Sequence, residues 1–123
     1  MPGLQYSVHA YAWTPSWSNA NLELIDLAKS IGFDMIEIPL MELDKIDATA
    51  IRHRAERADM GVCTSTACSE VNDPTAEEPA ARDRAVEYLK ACIRVTSEMG
   101  AKVFTGVTYS AIGRRLDRMP EKF

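Results

Sequence analysis

Four short apolar runs alternate along the chain with three stretches in which apolar residues recur every three or four positions. The first run, "QYSVHAY", reads as a strand and leads into a polar turn, "TPSWSN". Next, "ANLELIDLAKSIG" sets Leu24, Ile25, Ala28 and Ile31 on one face of a helix about three turns long. Ser18 or Asn19 is placed to cap its start, and Gly32 suits its end. "FDMIEI" returns to strand character, Asp47 caps a second helix through Ile51, Ala55 and Ala58, and Gly61 opens a third strand, "GVCTST". Thr75 and Glu78 have the spacing of a T-x-x-E capping box. The long helix that follows turns Ala85, Leu89, Cys92, Thr96 and Met99 inward and ends at Gly100, before "AKVFTGV". Four strands alternating with three helices predict βαβ units and a parallel sheet.

Two parallel architectures compete for this pattern. A doubly wound open sheet carries its ligand site after the first strand, often with a phosphate-binding loop, but that position here reads "HAYAWTPSWS" and no G-x-G-x-x-G or P-loop occurs. A (β/α)₈ barrel of about 250 residues gives each βα unit roughly 31, and the glycines expected to end the helices, Gly32, Gly61 and Gly100, are spaced at 29 and 39. Strands buried in an open sheet read as continuous Val, Ile and Leu. These instead carry His9, Glu37, Thr64, Thr66 and Thr105 toward their C-terminal ends, where a barrel builds its site. A carboxylate between two isoleucines costs several kcal/mol if it is buried alone. Glu37 is therefore expected to point into the barrel mouth, just before Pro39 ends the ladder. The fold expected is α/β, the N-terminal half of a (β/α)₈ TIM barrel, with residues 1–123 holding the first four strands.

Composition narrows the function classes. The chain has 123 residues, 46% hydrophobic and 26% charged, as in an ordinary globular domain. No apolar run is long enough to span a bilayer, and "MPGLQYSVHAYAW" lacks the features of a signal peptide, so a cytoplasmic location and no membrane partner are expected. Cys63, Cys68 and Cys92 are odd in number and match no zinc spacing, so they read as reduced thiols. A net charge of −4 argues against a nucleic acid partner. His53, among Arg52, Arg54 and Glu56, is expected on a solvated helix face.

"VHAYAWTPSWS", "AKSIGFDMIEIPL", "DPTAEEPAARDRAVEYLKACIRVTSEMGAK" and "GVTYSAIGRRLDRMP", in that order, resemble the D-tagatose 3-epimerase group of the xylose-isomerase-like TIM barrels. The resemblance covers essentially the whole chain, but only the first half of the family's barrel. It implies epimerisation of a ketose at C3 through an ene-diolate, with two glutamates exchanging the proton and a divalent metal, typically Mn²⁺, holding two sugar oxygens. The resemblance assigns those glutamates and the metal ligands to strands 5 to 8. No catalytic or metal-ligating residue is therefore assigned here, and this chain alone is expected to take no cofactor.

On the substrate side the resemblance matches His9 and Trp13 to the end of the first strand and Glu37 to the end of the second. Thr66 and Tyr109 would complete the rim. Each has a structural alternative: His9 or Trp13 as core packing, Glu37 paired with an interior Arg or Lys, and Thr66 and Tyr109 as framework. The expected partner is a small sugar or polyol. The family's barrel also serves hydroxypyruvate isomerase, inosose dehydratase and endonuclease IV-like activities, the acidic balance disfavouring the last. A non-catalytic half-barrel that binds or assembles is the other alternative. Open sheet edges and an inner face expected to carry Val8, Met35, Ile36, Val62, Val103 and Phe104 point to a homo-oligomer. "GRRLDRMPEKF" reads as a loop leading to a fourth helix.

Overall fold

A computed structural model of the chain describes residues 3–115, so most of the final run, from residue 116 on, lies outside the described residues. In chain order it contains β1 (Ser7–His9), α1 (Glu23–Ile31), β2 (Met35–Pro39), α2 (Ala48–Ala58), β3 (Gly61–Cys68), α3 (Pro79–Glu98) and β4 (Phe104–Ala111). All strand pairs are parallel, and the sheet order is β1-β2-β3-β4. This order separates the two architectures. A doubly wound sheet reverses direction at a switch point, whereas here every crossover steps the same way. Right-handed crossovers that never reverse place every helix on one face of the sheet, as in a barrel.

Parity along the strands then sorts the side chains. The registers Val8↔Ile36↔Val62 and Ile38↔Thr64↔Phe104 put even-numbered residues together on the helix-covered face. Ile36, Ile38 and Val62 are buried there with Ile25 and Ala28 of α1 and Ile51 and Ala55 of α2, while Val8 and Phe104 pack against this core. The opposite face carries the odd series, beginning Ser7↔Met35 and His9↔Glu37↔Cys63. The expected apolar inner face is thereby corrected. Val8, Ile36, Val62 and Phe104 belong to the core beneath the helices, and the inner face is mixed, with Ser7, His9, Glu37 and Ser65 beside Met35, Cys63 and Ala67.

The helices obey their patterns with four local differences. Ser18 caps a 3₁₀ turn, Asn19–Asn21, that feeds α1, rather than α1 itself. Ile31 is exposed, because it lies at the last turn of α1 where the chain swings away to Gly32 at φ 107°. Asp47 caps α2 as expected, accepting from the Ala50 amide, but Asp59 rather than Gly61 makes the left-handed turn that ends it (φ 51°). The Thr75–Glu78 capping box does not form. Thr75 turns back to bond Asp73 through both its amide and its hydroxyl, and α3 begins at Pro79, whose missing N–H suits the first helical position.

Candidate functional site

His9 and Glu37 meet because their strands pair in register, and both point to the inner face. His9 Nε2 lies 3.5 Å from Glu37 Oε1, and both side chains are partly exposed. The same nitrogen lies 3.2 Å from Ser65 Oγ on β3. His9 Nδ1 accepts a hydrogen bond from the Tyr11 amide at 3.0 Å, in the short turn after β1. The Tyr11 ring tilts against the imidazole, with centroids 4.6 Å apart. One layer deeper, Ser7 Oγ and Cys63 Sγ are 3.3 Å apart. Burial pushes the Cys63 thiol up, the charge of Glu37 adds to this, and the contact with Ser7 works the other way. Cys63 is thus a neutral thiol, as a structural cysteine is.

These groups border a cleft of about 240 Å³ at the C-terminal ends of the strands, floored by Pro39, Ala67 and Gly106. Larger grooves exist, including one of about 590 Å³ between the start of α1 and α2 beside His53, but it lies on the outer helical layer with an exposed arginine and glutamate. His53 is solvated there. The strand-end cleft is the one where an acceptor, a donor and an aromatic face converge, which is the pattern of a small polar ligand site.

The five substrate-side candidates separate. His9 and Glu37 come together in the cleft, and among the described residues Glu37 is within reach of His9 and of no interior Arg or Lys. Thr66 borders the cleft, yet its hydroxyl is committed elsewhere, bonding the Leu40 carbonyl and the Tyr88 hydroxyl of α3. Tyr88 donates to Leu40 O at 2.7 Å, and burial pushes its phenol up to about 12, so it remains a neutral donor. Thr64 likewise faces α3, 2.7 Å from Thr96. Trp13 packs against the core, and Tyr109 stands exposed on β4. Two hydroxyl-bearing cleft residues were missed by the sequence reading, Ser65 and Tyr11. Parity counted back from Glu37 through the strand register would have found Ser65, but that register is not written in the sequence.

Asp73 and Arg114 tie the β3–α3 connection to the segment leaving β4. Arg114 Nη1 bonds the buried Asp73 carboxylate and the Thr75 hydroxyl. Burial works to raise the carboxyl pKa, but bonds from Thr75, Arg114 and the Ala111 amide together hold it at about 2, below its ordinary 3.8. A depressed folded-state value stabilises above the unfolded value, and the effect is lost as pH falls through the folded one. The expected result is a stability gap between the wild type and Asp73→Asn that is constant near neutrality and closes between about pH 4 and 2. Urea midpoints at a series of pH values measure it, and a pH-independent gap would contradict the latch.

A catalytic divalent site takes at least three protein ligands, and the cleft offers two, His9 and Glu37. No group of three His, Cys, Asp or Glu that could hold a metal forms among the described residues. These residues do not by themselves fit the metal that the resemblance implies, and no step is derived through it. Nor is any helix among the described residues long and apolar enough to cross a membrane.

A one-directional parallel β/α sheet, with His9, Glu37 and Ser65 at a cleft by the strand C-terminal ends, defines a partial β/α barrel. The family model for xylose isomerase-like TIM barrels matches residues 25–121, and the chain belongs to that family. Its relatives include the L-ribulose 3-epimerase of Methylomonas sp., 30% identical over 112 residues, covering 90% of this chain and 39% of the relative. Another is the ketose 3-epimerase of Arthrobacter globiformis, 25% identical over 115 residues, covering 93% and 40%. Among solved structures, the D-allulose 3-epimerase of Methylomonas sp. in complex with D-allulose superposes with a TM-score of 0.85 at 29% identity, covering 91% of this chain and 39% of that one. The relatives are thus sugar 3-epimerases, and the chain spans about 40% of their length.

Proposed function

We propose that this chain supplies a sugar-holding wall of a ketose 3-epimerase, the first four strands of its barrel, and does not epimerise by itself. The observation that carries this is the His9–Glu37 pair, 3.5 Å apart at the ends of adjacent strands in the strand-end cleft, in a chain whose relatives are sugar 3-epimerases. The cleft offers an open-chain ketose hydrogen-bonding groups, with the Tyr11 ring packed beside them against His9. Trp13 and Tyr109 do not line this cleft, and Thr66 contributes through its place beside it rather than through its hydroxyl. Proton removal and return at C3, and the divalent metal, Mn²⁺ by resemblance, belong in this reading to strands that complete the barrel. A metal bound there would polarise the sugar oxygens and so acidify the C3 proton.

A chimera tests the proposal. The 123 residues replace the matching segment of the Methylomonas L-ribulose 3-epimerase, and ketose epimerisation is followed with Mn²⁺ present. The chimera is expected to turn over ketoses while the 123 residues alone do not, and Glu37→Gln in the chimera is expected to lower kcat/KM about tenfold or more with little change in melting temperature, since the amide keeps the packing. A folded chimera without activity, or turnover by the 123 residues alone, overturns the reading.

A further inference from the structure

Backbone amides only donate, so the bond from the Tyr11 N–H to His9 Nδ1, 3.0 Å long, requires a lone pair on that nitrogen. The proton of the neutral ring is then on Nε2. That N–H faces Ser65 Oγ at 3.2 Å and Glu37 Oε1 at 3.5 Å, so Ser65 is the nearer acceptor. A serine hydroxyl that accepts from a ring N–H keeps its own hydrogen to donate, and Ser65, only 7% exposed, borders the cleft. Glu37, an obligate acceptor when ionised, sits one strand away.

We propose that Ser65 is a ligand-binding donor whose polarity is imposed by the Tyr11 amide through the His9 ring, so that the cleft presents one donor, Ser65 O–H, beside one acceptor, Glu37. This order matches two neighbouring hydroxyls of a polyol, the first accepting from Ser65 and the second donating to Glu37. The inference rests on the sugar-holding reading for its ligand class, but its hydrogen-bond order stands on the described geometry alone. His9 is the positioning residue of the relay: it fixes which way Ser65 points its hydrogen and leaves proton abstraction to other groups.

The chain's two histidines make the test direct. Long-range ¹H–¹⁵N correlation spectra of the full chain, with His53→Gln to assign the ring signals, report the His9 tautomer. Titration with xylitol, followed at the same ring signals, then compares wild type, Ser65→Ala and Ser65→Thr. The expected result is the Nε2–H tautomer throughout, a saturable xylitol response in wild type and Ser65→Thr, and an affinity lowered about fivefold or more in Ser65→Ala, the worth of one hydrogen bond. An Nδ1–H tautomer overturns the relay and leaves the sugar reading standing. The Nε2–H tautomer with no xylitol response in the wild type overturns the sugar reading for this chain. Equal affinity in wild type and Ser65→Ala overturns the donor role of Ser65.

Discussion

Gly106→Ala is expected to destabilise the chain by at least about 3 kcal/mol, a large part of the net stability of a small domain, and to abolish the strand-end cleft. A Cβ at this position would lie 1.8 Å from the Thr66 carbonyl oxygen and 2.8 Å from the Thr66 amide nitrogen. Both neighbours are backbone of the adjacent strand, so neither can swing aside as a flexible side chain would. The φ of 126° adds strain that an L side chain rarely tolerates. Gly106 pairs with Thr66, one residue past Ser65, and the β3–β4 register shifts just beyond, at Ala67/Cys68. Forcing β4 away from Thr66 would therefore lift the cleft floor and loosen Ser65 together. Gly113→Ala is the control: its φ is also positive, at 76°, but nothing lies within 4 Å, so only the backbone strain of about 1 kcal/mol is expected. Denaturant midpoints decide the comparison. Equal, small losses at both positions would mean that β4 is free to shift.

The fold was legible because helix and strand periods are local properties of the chain. Leu24, Ile25 and Ala28 recur at helical spacing and are buried, as are Ala85, Cys92 and Thr96 on α3 and Met99 at its C-terminal cap. What was not legible depends on registers between strands. Thr64 and Thr66 look like mouth residues by their distance along β3, but parity turns both hydroxyls to Thr96 and Tyr88 of α3. Ser65, between them, is the one that reaches His9. Glu37 was found because a carboxylate inside an apolar strand demands an explanation whichever register holds. The Asp73–Arg114 latch joins residues far apart in sequence, and its only local sign, Thr75, fitted a capping box equally well. Tyr11 was passed over for Trp13, since a turn of three residues after β1 decides which aromatic faces the cleft.

The 123 residues are expected to self-associate when produced alone, and the corrected parity changes the reason. Because Val8, Ile36, Val62 and Phe104 are covered by helices, the inner face offers less apolar surface for assembly than the sequence pattern suggests. The edges remain. Among the described residues β1 pairs only with β2, and β4 only with β3. Beside β1 stand exposed Leu4 and Tyr6, and along or beside β4 stand exposed Val103, Tyr109 and Ile112. Unpaired strand edges flanked by apolar side chains are templates for further pairing, and a barrel of eight strands closes only when both edges find partners. Two copies related by a two-fold axis would supply eight strands, with β4 of each beside β1 of the other. Light scattering coupled to size exclusion is expected to return at least twice the monomer mass. Tyr109→Lys, which puts a charge on the β4 edge, is expected to shift the population toward monomer and to increase binding of a hydrophobic dye as the edges are laid bare. A sharp monomer peak for the wild type at high micromolar concentration, with cooperative unfolding and no dye binding, would show that both edges are tolerated as they stand, and the expectation of a homo-oligomer would fall with it.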